Sequence, residues 1–144
     1  MAESSHRKLE SFFREYLDDK SFRLPSINIY AGNFTRLLTQ TIKVAGITFD
    51  RSIFVLPELL SVNEKNQLKL SEELVAHEIA HVLQYRREGF LRFLYKYLRD
   101  YRANLRKMKK RDIDSRRRAY LEIPFEIEAR EVARKFVEWN GKHL

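Results

Sequence analysis

The chain of 144 residues contains no cysteine. That excludes disulfides and any thiolate metal site, and it leaves nitrogen and oxygen as the only side-chain ligand atoms for a transition metal. A long hydrophobic run is also missing. The longest purely apolar stretch is Ile53 to Leu56, far short of the roughly 20 residues that span a bilayer, so no transmembrane segment is expected. The first residues, Met1 to Arg7, are polar and hold nothing that could serve as a signal peptide. A soluble, cytoplasmic protein is the expectation. Histidine is scarce: His6, His77, His81 and His143 are all there are. Neither an internal repeat nor a low-complexity linker interrupts the chain, and one domain, 1–144, is expected. A domain of this size buries about two-thirds of the surface its unfolded chain exposes, enough for a core without staples.

The net charge is +8, but it is not spread evenly. Residues 86–118 carry 14 Lys or Arg against four acids, a local net of +10, so the remainder sums to −2. One segment holds the basic character of the whole chain.

Periodicity gives a coarse order of elements. Ser5 to Leu17 repeats apolar residues at three- and four-residue steps and predicts a helix. Ser26 to Tyr30 alternates and predicts a strand. Asn33 to Val44 reads as a helix, Ile47 to Asp50 and Ser52 to Leu56 as strands, and Ser61 to Lys69 as a polar loop. Ser71 is placed as the N-cap of a helix running to about Arg87, with Gly89 as a joint. A second long helix runs from Phe90 to about Lys109, with Leu91, Leu94, Leu98, Tyr101, Leu105 and Met108 as its apolar stripe. Arg111 to Arg118 reads as a charged loop. The last helix starts near Pro124 and stops at Gly141. The expected class is α+β: a small N-terminal sheet and the motif helix, followed by two further long helices.

The chemistry sits in His77-Glu78-Ile79-Ala80-His81. Two histidines four apart on a helix project from one face, one turn apart, where a single Zn²⁺ can bind both. In the HExxH pattern the intervening carboxylate, Glu78, takes the proton from a metal-activated water. Five letters alone are weak, but Leu74, Val75, Ala76, Ile79, Ala80, Val82 and Leu83 make this helix apolar nearly all round. Two histidines and a glutamate on a buried helix need a reason. The bland alternative is a pair of hydrogen-bonded core histidines.

Zinc needs a third protein ligand. Arg87 stands six residues after His81, where a third histidine would extend the pattern. His6 and His143 lie near the ends of the chain. A carboxylate from the last helix is the better candidate. There Phe125, Ala129, Val132, Ala133 and Phe136 form the inward face, and Glu126 shares the small-residue side. Glu126 is therefore preferred, ahead of Glu128, Glu131 and Glu122; an ordinary solvated helix carboxylate is the alternative for each.

The segment Leu74 to Gln84 resembles the HExxH signature of a bacterial zincin-like domain family associated with contractile injection systems and toxins. The strand region Val44 to Val55 is similar to that family's as well, with Asp50 where a glycine is usual. The resemblance covers roughly residues 26–85. It implies a zincin fold, a zinc cofactor, a peptide or protein substrate, and export by a dedicated injection system. Glu126-Ile127-Glu128-Ala129 further resembles the gluzincin third-ligand motif, which supports Glu126. Arg130 stands where that motif has an aspartate that braces a ligand histidine, so the resemblance leaves the brace unassigned. It also implies that Ser52 to Leu56 is a sheet edge holding the substrate backbone. Tyr120, just before the last helix, is a candidate hydrogen-bond donor to a tetrahedral intermediate, or else a packed aromatic.

The helix over 90–110 sets Arg92, Lys96, Arg99, Arg102 and Arg106 opposite its apolar stripe. It suits an anionic partner: lipid, an acidic protein or, least of all, nucleic acid, since no nucleic-acid fold signature is present. A solvated face is the bland reading. The expected function is a zinc-dependent peptidase with Glu78 as general base. The alternatives are a non-catalytic zinc module acting as an interaction or cargo domain, and a basic nucleic-acid-associated protein.

Overall fold

The computed structural model describes residues 3–26, 28–31, 46–49, 52–55, 61–62, 68–108, 110 and 112–143. Among these, five helices carry the body: α1 (Glu3–Tyr16), α2 (Glu72–Glu88), α3 (Phe90–Lys107), α4 (Ile113–Leu121) and α5 (Pro124–Lys142). Each boundary has a local cause. Ser71 caps α2 by accepting the Leu74 N–H at 3.1 Å, and Glu72 and Glu73 fill its first turn. Gly89 ends it at φ 78°, a conformation that costs a residue with a Cβ, and its N–H returns to the Tyr85 carbonyl at 2.9 Å. The chain turns there and re-enters a helix at once. Asp112 caps α4 through the Ser115 N–H at 2.8 Å. Pro124 opens α5 at a position where its missing N–H costs nothing.

Short strands occupy part of the region between α1 and α2. β1 (Asn28–Ala31), β3 (Ser52–Val55) and β2 (Gly46–Phe49) form a sheet in that order, β1 parallel and β2 antiparallel to β3. β4 (Ser61–Val62) and β5 (Leu68–Lys69) pair antiparallel.

The core is helical. One cluster joins Leu9, Phe12 and Phe13 of α1 to Val75, Ala76, Ile79 and Ala80 of α2 and to Ala129, Val132 and Phe136 of α5, with Phe22 and Leu24 from the connector after α1. A second cluster gathers Phe93, Ile123 and Phe125 under Tyr85, Tyr97, Tyr101 and Tyr120. Each fully buried side chain of this size contributes about 1.5–3 kcal/mol. Alanines at 76, 80, 129 and 133 are buried, and such small residues let α2 and α5 approach closely. Polar ties bind the same elements: Ser5 Oγ donates to Glu72 Oε1 at 2.6 Å, and Trp139 Nε1 to Glu15 Oε2 at 2.7 Å.

Several expectations are corrected here. The α+β class with a small N-terminal sheet does not hold. The chain opens with a helix, and apart from Phe22, Leu24 and Ile123 every described core residue sits on one. Most of the charged loop expected over 111–118 is helical: α4 begins at Ile113, and its cap Asp112 with Ser115 outweighs its charge density. The polar loop 61–69 contains the paired β4 and β5. α5 continues through Gly141 to Lys142. Leu91, Leu94 and Leu98 of the apolar stripe on α3 are exposed. The expected helix 33–44 lies outside the described residues.

Candidate metal centre

α2 carries His77 and His81 on one face, and α5 packs beside it with Glu126 in its first turn. Three side chains converge, through two imidazole nitrogens and both oxygens of one carboxylate. His77 Nε2 and His81 Nε2 are 3.2 Å apart. His77 Nε2 lies 3.4 Å from Glu126 Oε2, and His81 Nε2 lies 3.3 Å from Glu126 Oε1. A tetrahedral ion with bonds of about 2.0–2.1 Å has ligand–ligand edges of about 3.3–3.4 Å. Among the described residues these are the three that form a group with metal-ligand spacing. Glu126 is 2% exposed, and its Oε2 makes no hydrogen bond although it is buried. A buried carboxylate oxygen without a donor is costly unless a cation satisfies it. The donor set therefore fits a small divalent cation of the zinc type.

The surroundings orient the donors. His81 Nδ1 lies 2.8 Å from Gln84 Oε1. The Gln84 amide has its other end fixed: its Nε2 donates to the Phe125 carbonyl and to Glu128 Oε2, both at 3.0 Å. Two acceptors on the nitrogen leave the amide oxygen to accept from His81, so His81 Nδ1 carries a proton and Nε2 is the ring atom turned toward the cluster. Glu128 is in turn clamped by Arg87, with nitrogen–oxygen distances of 2.7 and 2.9 Å. Thus Glu128, the second candidate for third ligand, braces the site through Gln84, while Glu126 reaches it. Glu131 pairs with Arg134, and Glu122 is exposed at the end of α4. Gln84 supplies the brace that Arg130 left unassigned. Arg130 donates to the Leu121 carbonyl instead.

On the far side of Glu126 the Tyr97 hydroxyl donates to Oε1 at 2.7 Å. Burial, followed by the Glu126 charge, pushes the Tyr97 pKa up, so the hydroxyl stays a donor. Tyr120 also faces this carboxylate. Burial first, then Glu126 and more weakly Glu78, hold its hydroxyl protonated. Sequence reasoning placed Tyr120 near the site and missed Tyr97 and Gln84. A polar Gln84 inside an apolar helix, three residues after His81, was the available signal; Tyr97 had none that set it apart from core aromatics.

Electrostatics tie His77, His81 and Glu126 together. Burial alone would lower the His81 pKa, but the Glu126 carboxylate, aided by Glu78 and Gln84, leaves it raised to about 9. Burial alone would raise the Glu126 pKa, yet His77, His81 and Tyr97 together hold it well below the usual carboxylate range. Glu78, beside His77, is 2% exposed.

His6 lies on α1, and His143 follows α5, where its ring stacks on Trp139 at 4.3 Å. Neither joins the cluster. β3 is not the sheet edge expected of Ser52 to Leu56: it is paired on both sides, and among the described strands β2 is the outer one that contacts α2.

The family model described as eCIS core domain matches residues 2–89. The chain belongs to the eCIS core domain family. Membership associates it with extracellular contractile injection systems. The match reaches back over α1 and ends at Gly89, so it takes in His77, Glu78, His81 and Gln84 of this eCIS core domain but not Glu126. No curated protein and no solved structure matches the chain. Among the described residues no helix is long and apolar enough to cross a membrane.

Proposed function

We propose that this eCIS core domain is a zinc-dependent peptidase of zincin type. The observation that supports the reading best is the convergence of His77 Nε2, His81 Nε2 and the Glu126 carboxylate, with ligand-atom separations of 3.2–3.4 Å, beside a carboxylate that no ligand role requires. His77, His81 and Glu126 would hold the ion. Zinc, when bound, lowers the pKa of a water to roughly 7 and so supplies a nucleophile at neutral pH. Glu78 would take that water's proton and deliver it to the leaving amine. Tyr120, kept protonated by its burial, would donate a hydrogen bond to the oxyanion of the tetrahedral intermediate. β2, the outer strand on the α2 side, would hold a substrate backbone by strand addition. Passage through a contractile injection system, as cargo, would take the domain to its substrate.

Burial favours one second reading. Glu78 and Glu126 are each 2% exposed and His81 6%, which suits a closed structural zinc site as well as an open one. On that reading the domain folds round the metal and serves as an interaction or cargo module. A peptide-library cleavage assay on zinc-loaded wild type and Glu78→Gln separates the two. The peptidase reading expects cleavage that falls at least about 100-fold in Glu78→Gln while zinc content stays unchanged. Cleavage that survives the substitution contradicts Glu78 as base, and a zinc-loaded wild type that cuts nothing supports the module.

A further inference from the structure

α3 is about 27 Å long, whereas α4, which returns alongside it, is about 14 Å. Asn104 Nδ2 donates to the Ala119 carbonyl at 3.1 Å, which pins α4 against the C-terminal half of α3. There the apolar stripe is partly covered, and Tyr101, Leu105 and Met108 are half-buried. The N-terminal half is not. Leu91 is 78% exposed, Leu94 39% and Leu98 42%. These three continue the stripe of residues 101, 105 and 108 at alternating steps of three and four, the spacing of a helix-packing seam. A seam that a helix covers along one half is shaped for a helix along the other.

Charge selects which helix. The flank of the seam that faces away from the body carries Arg99, Arg102 and Arg106. Arg99 pairs with its neighbour Asp100 at 2.7 Å; Arg102 and Arg106 have no acidic partner among the described residues. A second copy of this chain would set these arginines against one another. An acidic helix would neutralise them.

We propose that the exposed side of α3 is a docking surface for an acidic amphipathic helix of a partner protein, seated on Leu91, Leu94 and Leu98 and running on along the outer flank past Arg99, Arg102 and Arg106. The surface lies outside the metal cluster and does not depend on the peptidase reading. The probe is a synthetic helical peptide of about 21 residues with leucine at the a and d positions and glutamate at e and g, titrated against the whole chain by fluorescence anisotropy. The same peptide with lysine for glutamate is the control. The glutamate peptide binds the wild type and the lysine peptide does not. Leu91→Ser with Leu98→Ser, and separately Arg102→Glu with Arg106→Glu, each weaken binding at least about tenfold. Circular dichroism and zinc content of both variants stay at wild-type values, which shows that the fold is intact. No binding of the glutamate peptide, or equal binding by the variants, overturns the proposal. So does leucine-dependent binding to phosphatidylserine vesicles, or self-association by sedimentation, in place of peptide binding.

Discussion

Residues 2–89 and residues 90–143 contribute to the site in different ways. The first part, matched by the family model, holds the motif helix and two of the three converging candidate ligands. The second part holds the third candidate, Glu126, the Tyr97 donor to it, and Glu128, which fixes Gln84 and through it His81. A recognisable five-residue pattern is thus half a site. The other half is a single buried carboxylate on a helix whose small residues bring it close. The difference teaches that a motif fixes where donors begin, whereas packing decides whether they meet.

Breaking the packing is the harshest test of that comparison. Phe136 is 1% exposed and sits with α1 and α2 in the first core cluster. Phe136→Ala is expected to cost about 3–5 kcal/mol in denaturant unfolding. It should also lower zinc affinity although it touches no ligand, because α5 carries Glu126. Normal zinc affinity in a destabilised variant would show that the two parts are less coupled than the packing indicates.

A milder cut goes through the brace. Gln84→Ala removes the acceptor for His81 Nδ1 and leaves the Phe125 carbonyl and one Glu128 contact unfilled. Zinc affinity is expected to fall roughly 10- to 100-fold, with Gln84→Glu recovering part of it by accepting the same proton. Isothermal titration of zinc reads this directly.

Protons sharpen the comparison further, since the second part sets the proton affinity of a ligand in the first. Burial opposes a proton on His81, but Glu126 keeps its pKa at about 9. Zinc must displace that proton, so apparent affinity rises by roughly tenfold per pH unit up to about pH 9 and then flattens. Glu126→Gln moves the flattening to lower pH. The metal-free protein follows the sign of the same shift. The raised His81 pKa gives stability that is full below about 6.5 and is lost as the pH rises through about 9. Glu126, with a lowered pKa, gives stability that is present above its ordinary value of 4.5 and is lost as the pH falls below it. Thermal melts of zinc-free protein across that range check both signs.

Gly89 marks the seam between the two parts, and replacing it has the smallest effect. A Cβ there meets no atom within 4 Å, so only the positive φ resists it. Gly89→Ala is expected to cost about 1–3 kcal/mol, read as a fall in melting temperature with zinc content unchanged.

Much of this was legible in the amino-acid pattern, for reasons that can be named. Ser71, the apolar run through Leu83 and Gly89 delimit α2, because caps and breakers act locally. Glu126 could be chosen because it shares a helix face with Ala129 and Ala133, a matter of periodicity. What was not legible depends on contacts between distant segments. Periodicity gives α3 an apolar stripe but does not say whether another element covers it, and α4 is too short to do so over Leu91 to Leu98. Hydrophobic alternation finds β3 but not its place between β1 and β2, which pairing alone decides. The strands suggested a sheet-based class, yet the aromatic and alanine faces of α1, α2 and α5 had already supplied a core without them.

The central claim is that a histidine pair in one part and Glu126 in the other make one metal site. Zinc content of the purified protein, measured by mass spectrometry against chain concentration, tests it most directly. About one zinc per chain in the wild type and in Glu128→Gln, and little or none in His77→Ala and Glu126→Ala, is the predicted result. A wild type that binds no zinc when zinc is supplied, or a Glu126→Ala variant that holds it as tightly as the wild type, would contradict the account.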